Sequence, residues 1–231
     1  MAERKIFLLS PKFFSPQRTA VIFAKTSRDE RGFGEIAEDV TEETAGKFGE
    51  KYIVGYGHGS VAEHAVLHLA IEGVSRLAAD VLEANRLASF TEKSTRYQVL
   101  DAENVHKPES VANSDWSREY DGVIRDLFET YARAVLAVKH DVEGEVPRKP
   151  DETDEKYDVR IRSKYLDVCR GIIPLASLTN VGATLNARSW EYAISKMLSH
   201  ELVEVNEMGE MIKSVAMGEA PVLIKYAKRN E

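Results

Sequence analysis

The chain has one cysteine in 231 residues, Cys169. An internal disulfide framework is therefore excluded, and a reducing compartment fits. No stretch approaches the roughly 18 apolar residues of a membrane span. The apolar part of the opening MAERKIFLLSPKFF is too short for a signal-peptide core. Long basic blocks are missing too, and the formal net charge is -7. That balance argues against nucleic acid as the main partner, yet a few arginines in a cleft can still build a positive pocket on an acidic protein. Internal repeats, low-complexity tracts and the glycine-rich phosphate loops of dinucleotide-binding folds are also absent. A soluble cytoplasmic protein, with no membrane and no nucleic-acid partner, is expected.

What is present is enough apolar residue, 43% of the chain, to bury a full core. Polar chemistry is concentrated between residues 57 and 97, GHGSVAEHAVLHLAIEGVSRLAADVLEANRLASFTEKSTRY. Three histidines, a Glu-His pair and a cluster of Arg, Glu and Ser fall within this one segment. A purely structural segment seldom needs so many hydrogen-bonding groups, so a polar ligand is expected.

The pattern gives a coarse set of elements. Lys5 to Leu9 reads as a strand, Thr19 to Thr26 as a helix, and Glu38 to Glu50 as another helix. Gly55, Gly57 and Gly59 make a loop that presents His58. Ser60 with Glu63 has capping-box spacing; a helix with Val61, His64, Ala65 and His68 on one face and a strand over Ala65 to Ile71 are both open, and a helical turn followed by a strand ending at Gly73 is favoured. Ser75 to Leu87 reads as a helix and Ala88 to Tyr97 as a loop with strand character. Ser117 to His140 carries apolar residues at helical spacing. The charged stretch 141–158, with Pro147 and Pro150, reads as a mobile loop or linker. Val159 to Ile173 should form a helix bearing Arg170 and stopping before Pro174. One or two helices are expected over Ala187 to Ile212.

Within the polar segment, Glu92, Ser94 and Arg96 are spaced two apart. In an extended chain they would point the same way and line one wall of a nucleotide pocket. A solvated loop with polar alternation accounts for the same spacing. His64 and His68 have the i,i+4 spacing of some zinc helices, but the HExxH order is absent, so no metal site is assigned. Cys169 reads as a small core residue. Lys196, His200 and Glu204 lie four apart, a spacing that by itself a salt-bridged surface face explains better than a site.

Taken together, GHGSVAEH, AIEGVSR, ASFTEKSTRY, CRGIIP and TLNARSW resemble the flavin-dependent thymidylate synthases, from about Phe23 to Glu204. The family motif R-H-R-x-x-S-x-x-E-x-S-x-R-Y falls on Ala84 to Tyr97. Its second half matches in full, whereas its first half keeps only Arg86. Elsewhere, Val81 stands where the family has a glutamine, and Glu191 and Tyr192 stand where it has an asparagine. The resemblance implies FAD contacts at Ser27, His58, Ser60, Glu63, Arg86, Asn186 and Arg188. It implies deoxyuridylate (dUMP) contacts at Glu92, Ser94, Arg96 and Arg170. Lys196 and His200 match an Arg-His pair of the family with a one-residue gap; a lysine there keeps the charge but loses the bidentate fork.

The fold implied is one α+β domain over 1–231, a twisted, mainly antiparallel sheet with long flanking helices, assembled as a homotetramer. The activity implied is reductive methylation of dUMP to dTMP, with FAD as cofactor and NADPH and methylenetetrahydrofolate as co-substrates. Arg96, Ser94 and Lys196 are then the residues expected to act on the nucleotide. The altered motif leaves a second function open: a degenerate paralogue that binds nucleotide or flavin, or completes sites with a full-motif subunit. A metal hydrolase using His64 and His68 is a third.

Overall fold

A computed structural model of the chain describes residues 11–26, 29–57 and 59–230. The strand expected over Lys5 to Leu9 lies outside these residues, as do Ser27 and His58. Among the described residues the elements are α1 (Pro16–Thr26), α2 (Phe33–Asp39), α3 (Glu42–Phe48), β1 (Val66–Ser75), α4 (Arg76–Glu83), β2 (Ala88–Glu92), α5 (Glu109–Ala112), α6 (Ser117–Glu145), α7 (Asp154–Cys169), β3 (Leu178–Asn186), α8 (Ala187–Leu198), α9 (Val203–Glu219) and α10 (Pro221–Ile224). The sheet order is β1-β3-β2. Ala187 N–H donates to the Ala65 carbonyl, and Arg76 N–H to the Ser177 carbonyl. One index rises along β1 as the other falls along β3, so the pair is antiparallel. A mix of helices with a small antiparallel sheet is thus what the sequence forms.

The chain divides into two compact units. The first holds the described residues up to Ala70, with Val81–Phe90 and those from Gly182 onward; the second holds Ile71–Asp80 and Thr91–Val181.

In the first unit, α8 turns Trp190, Ala193, Ile194 and Met197 inward, all fully buried. The indole N–H of Trp190 points at the Leu67 carbonyl at 3.4 Å. Gly209 lets α9 approach α8 closely: a Cβ there would lie 3.0 Å from the Met197 Cβ. The single helix expected over Glu38 to Glu50 is instead broken at Val40. Val40 is extended and fully buried, and the Thr41 hydroxyl caps α3 by accepting from Thr44 N–H. A hydrophobic side chain seated in the cluster of Val21, Ile22 and Ile36 outweighs helix continuity here.

In the second unit, α6 and α7 form a helical hairpin. Ile124, Phe128 and Tyr131 meet Tyr157, Ile161, Tyr165, Leu166 and Cys169. Burial pushes the Cys169 thiol up, as suits a core residue. The stretch 141–158 is mostly helix: α6 runs on to Glu145, α7 starts at Asp154, and 146–153 is the connection. Several of its charges are paired. Arg160 reaches Glu152 at 2.8 Å, while Asp158 takes Lys139 at 2.9 Å, Arg162 and the Tyr165 hydroxyl. Burial alone would raise the Asp158 carboxyl, but these hydrogen bonds outweigh it and hold it at about 2. A depressed carboxyl stabilises the fold above its ordinary value of 3.8 and loses that contribution as pH falls through about 2. Melting curves of the wild type and Asp158→Asn should therefore differ near neutrality and converge in acid. A constant gap would remove this ion cluster from the stability account.

Strand β1 continues two residues beyond the expected stop, passing through Gly73 at φ +68° before ending at Ser75. Helix α4 is shorter than expected and ends at Glu83.

Candidate active site

A cavity of about 720 Å³ opens in the first unit, a volume in the range of small-molecule sites. The strand–helix junction at Asn186 builds one wall. Asn186 caps α8 through its side-chain oxygen, which accepts from Ser189 N–H at 2.8 Å. This fixes the first turn, so Arg188, Tyr192 and Lys196 follow along the cavity. The opposite contribution comes from Ala84, Asn85, Arg86 and Leu87, the residues after α4. Glu63 completes it, its carboxylate 2.5 Å from Nη1 of Arg188. Arg86, Arg188 and Lys196 thus outnumber one carboxylate, so the wall favours an anion. Burial raises the Glu191 carboxyl against the opposing pull of Arg188.

Five of the expected site residues, Glu63, Arg86, Asn186, Arg188 and Lys196, are therefore brought to one cavity. Ser60 is exposed on the 3-10 turn Gly59–His64 and does not line it. The shared face of Lys196, His200 and Glu204 is broken, because α8 ends at Leu198. His200 instead braces the turn, its Nδ1 accepting from Leu202 N–H at 3.1 Å.

Glu92, Ser94, Arg96 and Arg170, the residues expected to meet the nucleotide, lie in the second unit. Alternation does not carry Glu92, Ser94 and Arg96 along one extended face: β2 ends at Glu92, and the chain turns over 94–97. The Ser94 hydroxyl accepts from Arg96 N–H at 3.2 Å, and its carbonyl accepts from Tyr97 and Gln98. Ser94 thus shapes the turn that displays Arg96. Arg96 donates a bidentate pair to Asp167, at 2.8 and 3.0 Å, and Arg170 Nε lies 2.9 Å from the same carboxylate. Hydrogen bonding from Arg96, then the charges of Arg170 and Arg96, pulls the Asp167 carboxyl below its ordinary range. Glu92 faces Arg76 at 3.7 Å. Asp167 and Arg76 escape sequence reasoning, since each pairs with a residue on another element.

His64 and His68 do not form a helical metal pair. His64 ends the 3-10 turn and stacks on Phe23 at 4.8 Å, whereas His68 lies on β1 and shares a hydrogen bond with Thr184 at 2.9 Å. Among the described residues no group of three or more His, Cys, Asp or Glu side chains gathers as a metal site.

A helix-and-sheet protein with a cationic cavity built on a strand–helix junction is the class these observations define. The family described as thymidylate synthase complementing protein matches residues 11–222, and the chain belongs to it. A UPF0159 protein of Chlamydia muridarum is 31% identical over 218 residues, covering 90% of this chain and 41% of that protein. A flavin-dependent thymidylate synthase of Pyrococcus furiosus is 30% identical over 184 residues, covering 76% and 65%. The UMP/dUMP methylase PolB of Streptomyces cacaoi, solved with 5-Br dUMP, shares the fold: its TM-score is 0.58 at 17% identity, over 90% of this chain and 88% of that one. This chain spans 41% and 36% of the lengths of the two chlamydial relatives it matches. Among the described residues no helix is long and apolar enough to cross a membrane.

Proposed function

We propose that the chain is an FAD-dependent thymidylate synthase. It converts dUMP, methylenetetrahydrofolate, NADPH and a proton into dTMP, tetrahydrofolate and NADP+. The observation that carries the reading is the cavity itself. Glu63, Arg86, Asn186 and Arg188, matched to flavin positions by motif, line one cationic hollow. The fit is chemical as well as positional: the pyrophosphate of a dinucleotide is an anion, and guanidinium groups are its natural partners. When bound, FAD supplies the reducing equivalents.

The chain's own residues bind and orient. Arg86 and Arg188 hold the anionic centre of the dinucleotide, Glu63 fixes the Arg188 fork, and Asn186 offers an amide. Ser27, His58 and Ser60 belong to the same assignment by motif. Arg96 and Arg170 grip the phosphate of dUMP and favour negative charge as it develops on the base. Glu92 accepts from a donor of the nucleotide. Ser94 positions Arg96 rather than attacking. Lys196 supplies a point charge toward the base. A homotetramer and a cytoplasmic setting accompany this reading.

One observation favours the alternative, a degenerate paralogue acting as a binding or partner subunit. Ala84 and Asn85 line the cavity where the family motif has arginine and histidine, and Ala84 brings neither charge nor donor. The test is dUMP-dependent oxidation of reduced flavin by purified protein, backed by rescue of a thymidine-requiring strain. Turnover with product thymidylate supports the synthase. Flavin binding without turnover, restored only on mixing with a full-motif synthase, selects the partner role. A protein that cannot be loaded with FAD contradicts both flavin readings.

A further inference from the structure

The Asp167 carboxylate occupies the position between two guanidinium groups that an incoming anion would need. Arg96 reaches it from the turn after β2, and Arg170 from the turn after α7. The three side chains are 51%, 36% and 47% exposed in the order Arg96, Asp167, Arg170, so the carboxylate can swing out without disturbing the core. A carboxylate and a phosphate use a guanidinium fork in the same way. The cluster therefore has the form of an anion slot already holding an anion of its own.

We propose that Asp167 is an internal anion that holds the slot between Arg96 and Arg170 closed and that an incoming phosphate dianion displaces. This rests on the assignment of the two arginines to the nucleotide phosphate. A monoanion brings no more charge than Asp167, and Asp167 is tethered, so its effective concentration at the slot is high. A dianion with three terminal oxygens serves both forks at once and gains more Coulomb energy than the carboxylate it replaces. Neutral nucleosides and singly charged esters therefore open the slot less readily than a dianion does.

The test compares wild type with Asp167→Asn in FAD-loaded protein, with binding measured by calorimetry. Asparagine keeps the shape and removes the charge. The ligands are dUMP, its singly charged phosphate methyl ester, inorganic phosphate at mildly alkaline pH, and dimethyl phosphate. In Asp167→Asn all four ligands should bind about tenfold more tightly than in wild type, because the tethered competitor is gone for each of them. If Asp167→Asn weakens all four ligands, the carboxylate merely positions the arginines and the proposal is overturned. Affinities unchanged in Asp167→Asn overturn it too, as does inorganic-phosphate binding that survives Arg96→Ala. Failure of the synthase reading is recognised separately: inorganic phosphate would bind through Arg96 and more tightly in Asp167→Asn, yet dUMP would not drive flavin oxidation.

Discussion

Arg96→Ala should lower kcat/KM for dUMP by about a hundredfold or more while leaving the flavin content of the protein unchanged. Arg96 is displayed by a turn that Ser94 closes, and it already makes a bidentate pair with a carboxylate. Removing the guanidinium removes the fork that would hold phosphate in both ground and transition states. Arg96→Lys should fall between wild type and alanine, because lysine keeps the charge without the planar geometry. Steady-state kinetics with varied dUMP check both variants. Alanine turning over like wild type would remove Arg96 from the substrate site.

Trp190→Ala should destabilise the fold by about 3–5 kcal/mol, the range for truncating a large buried aromatic. Trp190 is fully buried on α8, one turn after the Asn186 cap and on the same helix as Arg188. Its loss leaves a void beneath the same helix that carries the cavity wall, and it removes the indole N–H that faces the Leu67 carbonyl. Trp190→Phe should cost markedly less, since the ring volume is partly kept. Urea unfolding monitored by circular dichroism measures both. A loss under about 1 kcal/mol for alanine would mean that the site collapses around the gap or that α8 does not depend on this residue.

The helices with strong period were legible in the sequence. Ile124, Phe128 and Tyr131 announce α6, and the residues of α1 announce themselves similarly. Strand β3 went unread although it alternates. Thr179, Val181, Ala183 and Leu185 are buried and their neighbours are not, but threonine and alanine on the inner face make the hydrophobic alternation faint. The break between α2 and α3 had a visible cap at Thr41, which apolar spacing across it concealed. The site was half legible. Motif order assigned Arg86, Asn186 and Arg188 to one role, and the structure brings them together. Partners from distant elements could not be read: Glu63 with Arg188, Arg76 with Glu92, and Asp167 with Arg96 depend on tertiary packing that no local spacing encodes. The charged stretch was legible in part: 146–153 does connect two helices, but the pairing of Glu152 with Arg160, and of Asp158 with Lys139 and Arg162, was not visible in its composition.

The cationic hollow is best tested by titrating flavin-free protein with FAD, following flavin fluorescence, in wild type and in an Arg86→Ala/Arg188→Ala double variant. Wild type should bind FAD, and the double variant should bind it about a hundredfold more weakly while unfolding at the same temperature. Equal FAD affinity in the two proteins, or none in the wild type, would contradict the assignment of this cavity to the dinucleotide.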